Sequence, residues 1–388
     1  MQTKTLPAKR YLAVPIVTAA AFLAPFTQSI YIPILPELAE AFQTANFWIN
    51  ASISIYTAML AVMQLVYGPI GDRKGRKRVL LFGLLLYTAS SVGCYFSFSI
   101  EMFLFFRALQ GLGIAAGSVM AVAVIGDLLT GPQRLRAMGW YQSAIAFGPV
   151  AGPLLGGIIA GNWHYSVIFA VTIAFGLLAL AAILFKLPET RPAHAVARTF
   201  SFQDFRRILL NRVGSSMILL GLVQYFTLYN FIICLPVVLT VRYGLSIEQK
   251  GLAFVPLTLA IMVGSMLGSR LSGRLHPKTN LLFCGVFCII SLILFLLTAE
   301  HSLALLIITS GMYGLSLGVS LPTQTDWLAR EFADFRATAV GVYNFFRFVG
   351  MTLGPVIGSA LAAYGVQMQF GFVVFAAALS LLYLHRRL

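Results

Sequence analysis

A chain of 388 residues that is 59% hydrophobic and only 10% charged cannot cover a water-facing surface, because a soluble domain carries roughly 25% charged residues. Its apolar residues fall in runs of about 20 or more, the length that crosses a hydrocarbon core of about 30 Å, and the mean hydropathy is +0.87. A net charge of +15 would point to nucleic acid if it formed a patch on a globular domain; here the charge lies in the connections between apolar runs, so a lipid bilayer is the expected partner and nucleic acid is not.

Hydropathy predicts an all-α membrane protein with spans at 11–36, 46–70, 79–98, 101–126, 136–160, 164–187, 213–241, 250–273, 279–299, 302–328, 336–362 and 366–385. The first run follows Lys4, Lys9 and Arg10 as a signal peptide would, but its core is too long and a second span follows closely. The N-terminus, the even-to-odd connections and the C-terminus hold 23 of the 27 Lys and Arg residues. The opposite connections hold Arg242 and Lys250, and Arg107 and Arg347 lie inside spans. The positive-inside rule then places both termini in the cytoplasm of a multi-pass protein of the cell (inner) membrane.

Along the chain, the connection after the second span reads Gly68-Pro69-Ile70-Gly71-Asp72-Arg73-Lys74-Gly75-Arg76-Lys77-Arg78. A basic turn accounts for its cations, but not for Asp72 among them or for its three glycines. A carboxylate beside a helix end and arginines can form charge-assisted, bidentate pairs, and such a network can latch one arrangement of two bundles. The fourth span carries Arg107 within Phe103 to Gly113. Insertion scales charge ~2.5–3.5 kcal/mol for an arginine at mid-bilayer, so it is either functional or snorkelling to the nearby outer face. In the fifth span Gly148, Gly152 and Gly156 share one face and allow close packing, while Pro149 and Pro153 each remove a backbone donor. Cys94, Cys234, Cys284 and Cys288 all fall within spans and read as packing residues, with neither a disulfide nor a metal site expected.

The one long polar connection divides the chain into a six-helix bundle over 1–187, a cytoplasmic linker over 188–212 and a second six-helix bundle over 213–388. The halves echo each other. Gly148, Gly152, Pro153 and Gly156 recur as Gly350, Gly354, Pro355 and Gly358, and Tyr141-Gln142 recur as Tyr343-Asn344. Lys77 and Leu80-Leu81-Phe82 recur as Lys278 and Leu281-Leu282-Phe283. Pairs at nearly one offset argue for duplication, and parallel six-span repeats with a midplane substrate site are a transporter architecture.

The Gly68–Arg78 stretch resembles the signature of the major facilitator superfamily at Gly68, Asp72, Arg73, Gly75 and Arg76. The resemblance implies a relay of Asp72 and Arg76 with an acid ending the fourth span, where this chain has Asp127. The second half keeps a remnant from Gly268 to Lys278, with Gly273 in place of the aspartate and Arg274 retained. The fourth-span string, with Arg107, Gln110 and Gly111, resembles the second motif of drug:proton antiporters, which implies a cavity-facing arginine that assists proton coupling. The string Gly148, Pro149, Gly152, Pro153, Gly156 and Gly157 resembles the third motif, which implies export by antiport. Ser29 to Pro36 and Leu187-Pro188-Glu189-Thr190 also resemble twelve-span drug exporters. One departure is Ser29, where many of them carry an aspartate. No carboxylate lies deep in any span, so the residues leave the proton carrier open.

The resemblance implies two pseudo-symmetric six-helix bundles and a cavity between spans 1, 2, 4, 5, 7, 8, 10 and 11. Polar or aromatic residues there are Gln28, Tyr31, Gln142, Gln224, Tyr225, Asn230, Asn344 and Arg347, each able to serve packing or ligand contact. The expected function is export of drugs or small amphiphiles in exchange for protons, with export of one metabolite such as a siderophore, sugar or amino acid as the alternative. With no deep carboxylate and two arginines, electrostatics favours neutral, zwitterionic or anionic substrates. No nucleophile or metal motif is present, so an enzyme, a cofactor and a metal are not expected; a monomer is.

Overall fold

The computed structural model describes residues 8–191, 202–271, 276–333 and 336–388, so Gly273, Arg274 and most of the basic linker lie outside the described residues. Every regular element among the described residues is helical. Among the described residues twelve helices are long and apolar enough to cross a membrane: Leu12–Ala41, Asn46–Lys74, Arg76–Tyr95, Ile100–Leu128, Arg136–Asn162, Ser166–Lys186, Arg212–Val241, Ile247–Leu271, Pro277–Thr298, Leu303–Glu331, Thr338–Ala362 and Val366–Arg387. They are numbered as spans 1 to 12. An even count puts both termini at one end of the molecule, here the terminal end; the opposite end is the far end.

Two spans depart from the hydropathy reading. Span 1 does not stop near residue 36. Its helix ends at Ser29, breaks through a 3-10 turn at Ile32–Ile34 and resumes over Leu35–Ala41. Pro33 and Pro36 supply no N–H for a regular ladder, and irregular backbone is tolerated at membrane depth where protein buries it; Tyr31 and Ile34 are fully enclosed. The Gly68–Arg78 stretch, expected as a loop, is almost entirely helix. Span 2 runs through Lys74, span 3 starts at Arg76, and Gly75 alone turns the chain with φ +98°. A left-handed glycine reverses direction in one residue without the steric penalty a side chain would meet.

Packing repeats between the halves. Span 5 lies on span 1 as span 11 lies on span 7; spans 2 and 3 pack on span 4 as spans 8 and 9 pack on span 10. The glycine face of span 5 shows why. A methyl group at Gly148 would meet the Pro25 ring at 2.8 Å, at Gly152 the Ser29 hydroxyl, and at Gly156 the Ile30 carbonyl oxygen. In the other half Gly350, Gly354 and Gly358 are pressed in the same way onto Leu222, Phe226, Tyr229 and Asn230 of span 7. Gly156→Ala is therefore expected to cost about 1–3 kcal/mol by overpacking, read as a lower unfolding temperature of the purified protein. Gly139→Ala in the same span, where nothing lies within 4 Å, serves as the silent control. Equal stability of the two variants would show that the close contact with span 1 carries no load.

The halves meet along span 2 with span 11 and span 5 with span 8. Their polar contacts lie at mid-depth or toward the far end. Asn50 Nδ2 donates to Ser359 Oγ at 2.8 Å, Thr352 Oγ1 lies 3.2 Å from Thr57 Oγ1, and Lys250 Nζ pairs with a Glu37 oxygen. Gly157 also faces the Ile247 carbonyl and Gly251 of span 8 at the far end. Toward the terminal end the residues of spans 5 and 11 are less enclosed. Gly139 and Gly341 have open space beside them, and Gln142 and Ser143 are exposed. The molecule is closed at the far end.

Candidate functional site

Three polar centres emerge from this packing. The first lies at the terminal end of the N-terminal half. Arg76 opens span 3, Asp72 sits one turn before the Gly75 hinge, and Asp127 is the penultimate residue of span 4. The Arg76 guanidinium bridges Asp72 Oδ1 at 2.5 Å and Asp127 Oδ2 at 3.1 Å while its side chain is only 9% exposed. Glu189, just past span 6, accepts from the backbone N–H groups of Arg76 at 2.8 Å and Lys77 at 3.3 Å. A carboxylate on the unpaired N–H groups of a helix start is favoured both by hydrogen bonding and by the helix dipole. Thr190 Oγ1 reaches Asp127 Oδ2 at 3.4 Å, and Arg191 donates to the Arg73 carbonyl. The network thus ties the ends of spans 2, 3, 4 and 6 together, and the small size of Gly71 and Gly75 leaves room for Met120 and Glu189. Gly68 has no neighbour within 4 Å of where a methyl would stand.

The second centre is Arg107, fully enclosed inside the N-terminal half. Its guanidinium lies 4.5 Å and 4.3 Å from the ring centroids of Tyr31 and Tyr56. It donates to Gln110 Oε1 and, at 2.9 Å, to the Tyr31 hydroxyl. Gly111 lets span 4 come against the backbone of Tyr56. Among the described residues no carboxylate pairs with it. Two aromatic faces at about 0.5–2 kcal/mol each and two charged hydrogen bonds at about 1.5–3 kcal/mol each are enough to offset insertion. Arg107 is therefore held in the interior and does not snorkel to the far end. Arg107→Lys keeps the charge but not the planar fork that bonds two partners. It is expected to cut transport about tenfold and lower the unfolding temperature; unchanged values of both would make the cage dispensable.

The third centre is Arg347 on span 11. It donates to Asn344 Oδ1 at 2.9 Å and to the Tyr225 hydroxyl, and lies 4.1 Å and 5.5 Å from the Tyr225 and Tyr343 ring centroids. Asn344 and Arg347 are half-buried and Gln142 is exposed. The other expected cavity residues have different employment. Gln224 bonds Ser320 and Gln324 within the C-terminal half, and Asn230 bonds the Phe226 carbonyl and Gln369. Tyr31 belongs to the Arg107 cage. Gln28 is 9% exposed and its Nε2 has no partner. Ser29 is packed under Gly152 and donates to the Pro25 carbonyl at 2.8 Å, so its position is a helix contact.

One pair escaped the sequence reading. Lys250 Nζ, fully buried, takes Glu37 across the seam and donates to Thr240 Oγ1 at 3.1 Å. The signal was present: Lys250 is one of two cations on the side that the charge rule leaves bare.

Two repeated sets of six membrane-length helices that meet along a seam with a buried ion pair are the architecture of a membrane transporter. The chain belongs to the Major Facilitator Superfamily, which it matches over residues 17–355. It is 28% identical over 326 residues to the uncharacterized MFS-type transporter YdgK of Bacillus subtilis (strain 168), covering 82% of this chain and 80% of that protein. It is also 28% identical over 301 residues to multidrug resistance protein MdtL of Escherichia fergusonii, covering 77% and 76%. Its fold is similar to that of a bacterial homologue of the human lysosomal transporter Spinster in an inward-facing and occupied conformation, with TM-score 0.82, 17% identity and coverage of 99% and 97%.

Proposed function

We propose that this transporter exports drugs or other small amphiphilic molecules in exchange for protons, by alternating access between its two halves. The observation that carries the reading is the seam. Glu37, Lys250, Asn50 and Ser359 join the halves at the far end, while toward the terminal end Gly139 and Gly341 have free space beside them, which supports reading this as one limit of a rocking cycle. The charge of the connections makes the terminal end cytoplasmic, so the substrate space of a monomer in the inner membrane faces the cytoplasm, where an exporter loads. The intact Gly148–Gly157 string and the likeness to MdtL support export over import. The test is uptake into inverted membrane vesicles with an imposed acid interior, over a panel of unrelated amphiphiles and metabolites. Gradient-dependent accumulation of several unrelated scaffolds is the expected result. Accumulation that survives collapse of the gradient, or none at all, would overturn the reading, and a single accumulated metabolite would narrow it to one endogenous substrate.

A further inference from the structure

The Arg107 and Arg347 cages are chemical twins on spans that the internal repeat does not relate, since Arg347 lies on the counterpart of span 5. In each, a guanidinium stacks on two tyrosines, donates to an amide oxygen three residues away on its own helix, and donates to the hydroxyl of a tyrosine on the first span of its half. Arginine is a donor only. Its partners must accept through oxygen, and their own hydrogens must go elsewhere.

Where those hydrogens go separates the two cages. Around Arg107 they are consumed. Gln110 Nε2 donates to Ser91 Oγ at 2.8 Å, and Ser91 donates onward to the Tyr87 carbonyl at 2.8 Å. Ser52 donates to the Ile49 carbonyl at 2.6 Å, so the 3.2 Å bond between Tyr31 and Ser52 takes the tyrosine's proton. That cage is fully enclosed, and its amide and hydroxyl partners hand their hydrogens on, although Arg107 Nε has no acceptor among the described residues. Around Arg347 the same groups are left over. Asn344 Oδ1 and the Tyr225 oxygen are occupied by the guanidinium, while neither the Asn344 amide N–H groups nor the Tyr225 proton has an acceptor among the described residues. Arg347 Nε, like Arg107 Nε, is buried and unpartnered among the described residues, so the two cages differ in the hydrogens of their partners and not in the guanidinium itself.

The place is also suited to a ligand. Thr352, five residues toward the far end, makes the seam contact with Thr57; Gly341, six residues the other way, has open space beside it. The cage therefore sits just on the open side of a seam contact. Phe348, next in the chain, packs against apolar clusters of both halves.

We infer that the Arg347–Asn344–Tyr225 cage is a docking site for the anionic group of a small amphiphile, a carboxylate or similar monoanion whose apolar body lies toward Phe348. It offers one positive charge and several convergent donors, with no acceptor and no paired acid to repel or neutralise the ligand. The inference names a substrate class for the exporter reading and rests on it only for the direction of transport.

Equilibrium binding to the purified full chain in detergent tests the site without any transport step, using a naphthoate, the matching naphthamide and the matching naphthyl trimethylammonium. The naphthoate is expected to bind about tenfold or more tighter than either analogue, a difference of one decade in Kd. Arg347→Gln should erase that preference and Asn344→Asp, which places a carboxylate against the guanidinium, should turn it toward the ammonium. Tyr225→Phe, which removes one donor and keeps the ring, should reduce the preference several-fold and stands in if Arg347→Gln does not purify as a folded monomer. A wild-type protein that binds the three alike or favours the ammonium, or an Arg347→Gln protein that still favours the naphthoate, would overturn the inference. A binding preference without gradient-driven uptake in vesicles would leave the site standing and remove the exporter reading instead.

Discussion

Arg76→Gln is expected to leave the protein in the membrane and to reduce transport about tenfold or more, because it leaves neighbouring acids without their cation. Arg76 is the hub of the terminal-end network: it holds Asp72 and Asp127 on opposite sides, with Asp127 13% exposed and Asp72 26% exposed at the side chain. Without it these carboxylates face each other and Glu189 across the ends of four spans. Like charges at such distances repel strongly when partly desolvated, so the ends of spans 2 and 4 should splay rather than swing as one body. Arg76→Lys is expected to recover little, because a point charge on a flexible stem cannot bridge two carboxylates as a planar fork does. Asp72→Asn, which leaves Arg76 bound to Asp127 alone, should also lower transport strongly. The measurement is vesicle uptake normalised to protein in the membrane. Wild-type rates in Arg76→Gln and Asp72→Asn would remove the latch role.

The second large effect is expected at the other end of the molecule. Lys250→Met should open the far end of the seam. Lys250 is fully buried, and its ammonium is shared between Glu37 of the first half and Thr240 of its own. Removing one partner of a buried pair costs about 3–5 kcal/mol when the other is left uncompensated, though Glu37 is 30% exposed at its side chain and recovers part of that from water. Even about 1.4 kcal/mol shifts a two-state population tenfold. The four cysteines are buried, so a cysteine introduced at Ser359 reports on the seam. Its labelling by a membrane-impermeant thiol reagent applied on the side that the far end faces should rise about tenfold in Lys250→Met, and transport should fall. The double exchange Glu37→Lys with Lys250→Glu should slow labelling again, because it restores opposite charges across the same gap. Unchanged labelling and transport in Lys250→Met would mean that Thr57 and the glycine contacts hold the seam by themselves.

Much of this architecture is written in linear signals. Span number follows from apolar length measured against a fixed bilayer thickness. The common side of the termini follows from span parity, and the proposed orientation from charge counting along the connections. The duplicated pattern of Gly148, Gly152 and Gly156 with Gly350, Gly354 and Gly358 could be read from one offset, and each set does press its helix onto the first span of its half. The meeting of Asp72, Arg76 and Asp127 was expected through the resemblance to the superfamily signature alone; the one-residue turn at Gly75 that joins spans 2 and 3 belongs to the folded chain.

Tertiary structure decided the rest. Whether Gly68–Arg78 is loop or helix depends on Glu189, more than a hundred residues away, capping the start of span 3. Whether Gln224 and Asn230 face a ligand or tie helices together depends on which neighbours supply Gln324 and Gln369. Arg107 and Arg347 look alike in the sequence, each a lone cation in an apolar span. They differ in their partners: Ser52 and Ser91 take the hydrogens of Tyr31 and Gln110 beside the first, and among the described residues no equivalent acceptors stand beside Tyr225 and Asn344 of the second. Hydropathy, charge and spacing act along one chain segment at a time and so determine which helices form and how they cross the bilayer. Hydrogen-bond satisfaction and the closing of the seam depend on groups that come together only when separate helices pack, so they were settled in the folded molecule alone.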